Sequence, residues 1–337
     1  MTIRDVAARA GVSAATVSRV FSRPESVTLE TRRRVLTAAE HLRYTPHPVA
    51  RSLARGDTGN LGLVVPDIAV AFCAVVTKAV SQRARRDGYA LFVADSDEPS
   101  SGLTVDDLRS AHAMAKQVDG LLLLSPTAPD DDLRALAAAV PLVVINRELA
   151  EVPTVLMPSA DGAVSAVEHL HALGHRRLAY LAGPDNYSNR IRTAAFTRTC
   201  RRLGVDGIVM GPFGPTFSGG VRAADLVLAD GVTGVLAYND DVAAGVVGRL
   251  TDRGVPVPAR LSIVGFDDTA LASMIAPRLT TVRLPMADAG EVAVGLLVDS
   301  LRGAPARNGP VELPAELIVR GSTGPVAAVP SVSEVAP

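Results

Sequence analysis

Apolar positions change their rhythm partway along this chain. Over residues 1–44 they recur three and four apart in three short segments, the spacing of helices with one buried face. The first, IRDVAARA, brings Ile3, Val6, Ala7 and Ala10 to one side. Thr2 with Asp5 makes a start like a capping box, Asp standing where Glu is usual, and Gly11 supplies a left-handed stop. The second, AATVSRVF, is capped by Ser13 and turns Val17, Val20 and Phe21 inward. The third, LETRRRVLTAAEHL, is capped by Thr28 and offers Leu29, Val35, Leu36 and Leu42 as its apolar contacts. Only Gly11, Val12 and Ser13 separate the first two, which is helix-turn-helix geometry with the second helix as the one that enters a major groove.

From Leu61 the rhythm becomes short, nearly continuous apolar runs separated by helical stretches. LGLVVP, ALFVAD, GLLLLS and LVVIN read as parallel strands buried on both faces, with helices predicted near 69–87, 103–118 and 130–139. A second series follows: strands RLAYLAG, GVLAYN and LSIVGF, with helices near 160–173, 189–203, 217–229 and 240–253. Two such series in succession predict two doubly wound α/β lobes. Between head and body lies YTPHPVARSLARG, where Val49 and Leu53 sit four apart, the spacing of one apolar face on a short helix.

Charge sharpens this division. The chain of 337 residues carries a net charge of −1, but ten of its 34 basic residues and five of its 35 acidic ones fall in residues 1–58. That leaves 24 and 30 for the remainder, so a head of +5 precedes a body of −6. Every basic residue of the head is arginine, the side chain suited to forked contacts with phosphate and guanine. A basic head on an acidic body suggests a nucleic-acid module joined to something else. With 48% apolar and 20% charged residues the chain is globular. Cys73 and Cys200 lie far apart with no CxxC, which fits a reducing cytoplasm. The N-terminus lacks the apolar core of a signal peptide, and no apolar run approaches the roughly 18 residues of a membrane span. In EHLHALGH, His171 and His175 stand four apart after Glu168, but without HExxH, so no metal is expected. GDTGNLG is no phosphate loop, and no nucleophile stands with a base in a recognisable arrangement; neither an enzyme nor a cofactor is expected.

The exposed side of the second helix carries Ala14, Ala15, Ser18, Arg19 and Ser22. Arginine grips guanine in a bidentate way, alanine meets a thymine methyl, and the hydroxyls of Thr16, Ser18 and Ser22 suit phosphates. The run TIRDVAARAGVSAATVSRVF, then VTLETRRRVLTAAEHLRYTPHPVARSLARGDTGNLGLVVPD, resembles the N-terminus of the lactose/galactose-repressor (LacI/GalR) family of bacterial transcription regulators. The likeness runs nearly without gaps over the first 67 residues and more loosely to about Pro325. It implies an all-α helix-turn-helix head over 1–45 and a hinge helix with linker over 46–58. It also implies a periplasmic-binding-protein-like body over 59–324 and a flexible tail over 325–337. Lobe 1 would take about 59–157 and 286–313, lobe 2 about 158–285 and 314–324, the chain crossing between them near 158, 285 and 314. It further implies a homodimer on a double-stranded DNA operator, with Thr2, Ser13, Tyr44 and Arg51 among the DNA contacts and Leu53 wedged into a minor-groove base step. A wedge of that kind unstacks and kinks DNA while basic neighbours hold the phosphates.

Polar residues at the carboxyl ends of strands are the ligand candidates, because ligands of open α/β sheets sit in that crevice. Asn146 and Arg147 end LVVIN, Asn239 and Asp240 end GVLAYN, and Asp267 and Asp268 follow LSIVGF; Arg192 opens RTAAFTRTC. The resemblance carries effector contact onto Arg192, Asn239 and Asp267, and onto Asn146 and Phe72 with departures. Asn146 stands where an Asp is common, Cys73 replaces a second aromatic, and Leu284 stands where Gln is frequent. It implies a repressor under the control of a small effector, a sugar or related metabolite. The alternative is a sugar-binding protein serving transport, against which the basic head and the absent signal peptide argue.

Overall fold

The computed structural model describes residues 1–22, 24–44, 57–96, 107–305 and 309–326, the side chains of Ser22, Pro24 and Asp107 excepted. The head holds α1 (Ile3–Ala10), α2 (Ala14–Ser22) and α3 (Leu29–His41), with a 3-10 turn at Pro24–Ser26. Local chemistry sets each boundary. The Thr2 N–H donates to the Asp5 carboxylate at 2.7 Å, and Gly11 stops α1 at φ 64°. The Ser13 hydroxyl accepts from the Thr16 N–H at 3.1 Å, and Thr28 caps α3 from the Thr31 N–H at 3.4 Å. The head core consists of Val6, Ala7, Ala10, Val17, Val20, Val35, Ala38 and Ala39, flanked by Ile3, Phe21, Leu42 and Tyr44.

Two predicted contacts of α3 are corrected. Leu29 is 83% exposed and Leu36 42% exposed. Seven residues apart, they share one side of the helix, and that side faces solvent because Val35, Ala38 and Ala39 take the inward positions. The small alanines let α3 approach its neighbours, and a larger residue one position away is turned out.

The body is built on two six-stranded sheets. The first contains β1 (Asn60–Val65), β2 (Ala90–Asp95), β3 (Gly120–Leu124), β4 (Leu142–Ile145), β5 (Thr154–Leu156) and β11 (Val311–Glu312), ordered β11-β5-β4-β3-β1-β2 and all parallel. The second contains β6 (Arg177–Leu181), β7 (Asp206–Met210), β8 (Gly234–Ala237), β9 (Ser262–Asp267), β10 (Thr280–Arg283) and β12 (Glu316–Ile318), ordered β12-β10-β9-β8-β6-β7, with only β12 antiparallel. The helices are α4 (Ala71–Arg86), α5 (Asp107–Ala115) and α6 (Asp130–Ala139) in the first lobe, then α7 (Ser159–Ala172), α8 (Tyr187–Leu203), α9 (Phe217–Asp230), α10 (Asp240–Asp252) and the short α11 (Ala270–Met274) in the second. The last, α12 (Met286–Leu301), follows a strand of the second sheet yet packs on α4, β3 and β4 of the first. The chain therefore passes between lobes at 157–158, 284–285 and 313–315.

The runs Leu121–Leu124 and Leu142–Ile145 are buried throughout, as strands covered on both faces must be. ALFVAD differs from expectation: β2 lies at the sheet edge and exposes Phe92 and Val93. Glycines allow the closest helix packing. A Cβ on Gly220 would stand 2.0 Å from the Val242 carbonyl oxygen, and one on Gly245 2.0 Å from that of Phe217, so α9 and α10 cross backbone to backbone. No helix among the described residues is long and apolar enough to cross a membrane.

Candidate nucleic-acid interface and effector cleft

On α2 the side chains of Ala15 and Arg19 are exposed, with Thr16 and Ser18 half-buried beside them. Among the described residues Arg19 makes one hydrogen bond, from Nε to the Ala15 carbonyl at 3.4 Å, and its side chain is exposed. Ser13 and Thr16 share a hydroxyl hydrogen bond at 2.9 Å at the start of this helix. Ala14 turns partly inward against the head core, which reduces what it offers to a base. Thr2 is exposed at the head of α1, and the Tyr44 ring packs on Phe21 at 6.2 Å between centroids while staying half exposed. Arg51, Leu53 and the rest of the hinge up to residue 56 fall outside the described residues, as does the side chain of Ser22. The spacing did not single out Arg34, whose Nη2 donates to the Ala10 carbonyl at 2.6 Å and braces the turn before α2. A cation near the bare carbonyls of a helix end was the available signal.

In the body, four non-glycine residues at or just past strand ends have positive φ: Ser125 (47°), Asn146 (64°), Asp267 (100°) and Asp268 (54°). Backbone strain of this kind costs on the order of 1–3 kcal/mol each and clusters where side chains must be aimed. Asn146 Nδ2 donates to Ser125 Oγ at 3.0 Å and to Ser188 Oγ at 3.1 Å. Because Ser188 opens α8 in the second lobe, this amide ties the two lobes together.

Arg192 stands in the second turn of α8, not at its start, and is 3% exposed. Its Nη1 donates to the Tyr238 carbonyl at 2.6 Å, and its guanidinium lies 3.7 Å from the centre of the Phe266 ring. Asp267 Oδ1 is 3.8 Å from Nη2, longer than a direct hydrogen bond, and Arg192 Nε is buried with no hydrogen-bond partner among the described residues. A buried cation with an unsatisfied donor and a distant carboxylate is an incomplete arrangement that a hydroxyl-bearing molecule can complete. Asp267 is 6% exposed, and burial pushes its carboxyl up to about 6; Arg192 opposes the rise and Asp241 adds to it. From the first lobe, the buried Cys73 thiol is pushed up to about 12, chiefly by burial; a backbone hydrogen bond with Asp67 opposes the rise, and the nearby negative charges of Asp67, Asp267 and Asp95 add to it. Phe72 beside it is half-buried against a core cluster that draws residues from both lobes.

Other strand-end residues are held by partners within the protein. Asn239, expected at the ligand, has its Oδ1 accepting from the Val242 N–H and its Nδ2 donating to the Pro215 carbonyl, both at 2.9 Å. Its amide is engaged in capping α10 and holding the loop before α9. Arg147 is held within its own lobe by the Pro126 and Ala128 carbonyls and by Asp130. Asp268 is gripped by Arg283 at 2.8 Å and Arg320 at 2.7 Å. Asp240 accepts from Thr269 and Thr281, and burial together with Asp267 pushes it up to about 7. Leu284 is buried at a lobe crossing, Phe213 packs on the second lobe's core, and Phe217 lies mostly exposed. Spacing also missed Ser125, Ser188, Tyr238 and Phe266, although three of these flank strand ends or a helix start.

His175, part of the weak metal pattern, is buried between Thr233 Oγ1 at 2.9 Å and Ser262 Oγ at 3.0 Å, and burial lowers its pKa. Among the described residues no three His, Cys, Asp or Glu side chains are grouped to hold a metal. Cys73 and Cys200 are both free and buried.

Residues 2–47 match the family model for bacterial regulatory proteins of the lacI family, and residues 167–323 that for a periplasmic binding protein-like domain. The chain is 33% identical over 333 residues to the HTH-type transcriptional repressor CytR of Escherichia coli (strain K12), covering 96% of each. It is 34% identical over 327 residues to the ribose operon repressor of Halalkalibacterium halodurans, covering 96% of this chain and 97% of that one. Among solved structures, the lac repressor dimer bound to operator and the anti-inducer ONPF is similar, with a TM-score of 0.85, 30% identity, and coverage of 96% of this chain and 99% of that one. These relatives are regulators across nearly their whole length, which removes the transport reading. The chain belongs to the LacI family of bacterial regulatory proteins and is a DNA-binding transcriptional repressor with an effector-binding body.

Proposed function

We propose that two copies of this chain bind one near-palindromic operator, one head per half-site, and that a sugar or related metabolite seated between the lobes controls that binding. The observation that carries the effector site is Arg192, buried, stacked on Phe266, with Nε unpaired and Asp267 3.8 Å away. Asp267 accepts from vicinal hydroxyls, Arg192 donates to a ring or hydroxyl oxygen, and Phe72 supplies an apolar face. Asn146 answers to the ligand through its bond to Ser188, and Asn239 through the loop it holds. Thr2, Ser13, Thr16, Ser18 and Ser22 take phosphates with Tyr44 and Arg51, while Arg19, Ala14 and Ala15 meet base edges and Leu53 the minor-groove step. The working units are the head 1–45, the hinge 46–58, the body 59–324 and the tail 325–337, acting in the cytoplasm. Ligand-driven rotation of the lobes changes the distance between paired hinges, and with it the operator affinity.

The test is selection of genomic fragments by the purified full chain, followed by titration of the retained complex with pentoses, hexoses and nucleosides. A near-palindromic fragment is enriched, and one of these compounds changes its affinity. Recovery of fragments in proportion to their abundance overturns the proposal.

A further inference from the structure

A second surface lies on the far edge of the second lobe. Strand β7 pairs only with β6. The Asp206 N–H donates to Arg176 at 2.9 Å, and the Met210 carbonyl accepts from Ala182 at 2.8 Å, so even-numbered residues of β7 bond inward. The N–H and C=O groups of Gly207 and Val209 therefore point away from the sheet, where no strand of the described residues lies. Alongside runs a trough of about 700 Å³ between this edge and the outer face of α8. A Cβ on Gly207 would stand 2.7 Å from the Cys200 side chain, which shows that odd-numbered side chains of β7 face α8. Val209, 46% exposed, lines the trough with Thr193, Thr197, Arg198 and Arg201. Arg190 at its upper end is neutralised by Asp185 at 2.8 Å. Arg198 and Arg201 have no carboxylate within ion-pair distance among the described residues, unlike Arg202, which pairs with Glu168 at 2.6 Å.

We propose that this edge takes an extended acidic segment of a partner protein as a seventh strand. The added backbone satisfies the outward groups of Gly207 and Val209, and alternate side chains fall into the trough. Residues two apart on a strand are separated by about 6.6 Å, and Arg198 and Arg201, three apart on a helix, by about 5–6 Å. Alternating carboxylates therefore meet the two arginines in register, while the opposite face of the added strand stays in solvent. The surface is separate from both the head and the cleft, so it serves a partner of the regulator without competing for DNA or effector.

The experiment titrates the full-length chain with a fluorescein-labelled peptide alternating glutamate and valine, and with its lysine–valine counterpart. The acidic peptide binds and the lysine peptide does not. Arg198→Glu with Arg201→Glu weakens binding by about tenfold or more, and so does Val209→Pro, which removes an outward N–H at a position an edge strand tolerates. Operator binding and circular dichroism of these variants match the wild type, which separates lost docking from lost folding. Failure of the acidic peptide to bind overturns the proposal. So does binding to Val209→Pro at wild-type strength, since the arginines would then act without strand addition. A fall in sedimentation mass on Val209→Pro also overturns it, by assigning the edge to a second copy of the chain.

Discussion

Replacing Arg19 by alanine separates sequence reading from general DNA attraction. Arg19 is exposed, and its hydrogen bond from Nε to the Ala15 carbonyl, at 3.4 Å, is at the limit of usefulness. Alanine is at least as good a helix former, so the head loses at most a few tenths of a kcal/mol and its melting is unchanged. On cognate DNA a bidentate contact with guanine is worth about 1–3 kcal/mol per head. Two heads on one operator double this to about 2–6 kcal/mol, a loss between about 30-fold and about 10⁴-fold. On random DNA each head gives up roughly one phosphate neutralisation, a loss that shrinks as salt rises. Arg19→Lys completes the set: it keeps the charge without the fork, so it recovers binding to random DNA but not to the operator. Fluorescence anisotropy of the recovered genomic fragment and of a scrambled copy, at two salt concentrations, reads all of this. Equal losses on both DNAs, or full recovery by lysine on the operator, would show that Arg19 touches only phosphate.

Other expectations follow from the body. Asp267→Ala removes both acceptor oxygens at about 1–3 kcal/mol for each hydroxyl left unpaired, so effector acts only at concentrations about tenfold or more above wild type. Operator binding without effector is retained; an unchanged effector titration of a normally folded variant refutes the assignment. The raised Asp267 makes folding depend on pH. Between the ordinary carboxylate value of 3.8 and about 6 the folded chain keeps a proton that the unfolded chain has released, so this group's contribution to stability falls as pH rises through that window. The melting temperature of wild type relative to Asp267→Asn should therefore drop from pH 4 to pH 6 and then level off; a constant difference contradicts it. Gly245→Ala places a Cβ 2.0 Å from the Phe217 carbonyl and forces α9 and α10 apart, at a cost of about 1–3 kcal/mol or more by denaturant unfolding. Gly248→Ala meets only the end of the Phe217 ring, at 3.0 Å, and should cost distinctly less; equal losses would mean that the helix crossing is not the cause.

The sequence by itself determined the head and the order of elements in the body. Gly11, Ser13 and Thr28 mark helix ends through hydrogen bonds that reach only a few residues, so their meaning is local. The runs Leu121–Leu124 and Leu142–Ile145 are too short for helices and too apolar for an exposed strand, so they too are legible without the fold. Which side of α3 is buried was decided by its neighbours, which accept Ala38 and Ala39 and leave Leu29 and Leu36 in solvent. The helix over 286–301 escaped notice because its apolar residues show little contrast of faces; the family resemblance assigned that stretch to the first lobe, but only the tertiary structure shows it as a helix packed on α4, β3 and β4. The exposure of β2 follows from its place at the end of the sheet order, a relation among strands distant in sequence. In the cleft, strand ends pointed to Asn146, Asn239 and Asp267 alike. The fold alone made Asn239 a helix cap, locked Arg147 into its own lobe, joined Asn146 to Ser188 across the lobes, and left Arg192 Nε unpaired above Phe266. Those roles depend on which side chain from another strand or lobe arrives within about 3 Å, and no periodicity along the chain encodes that distance.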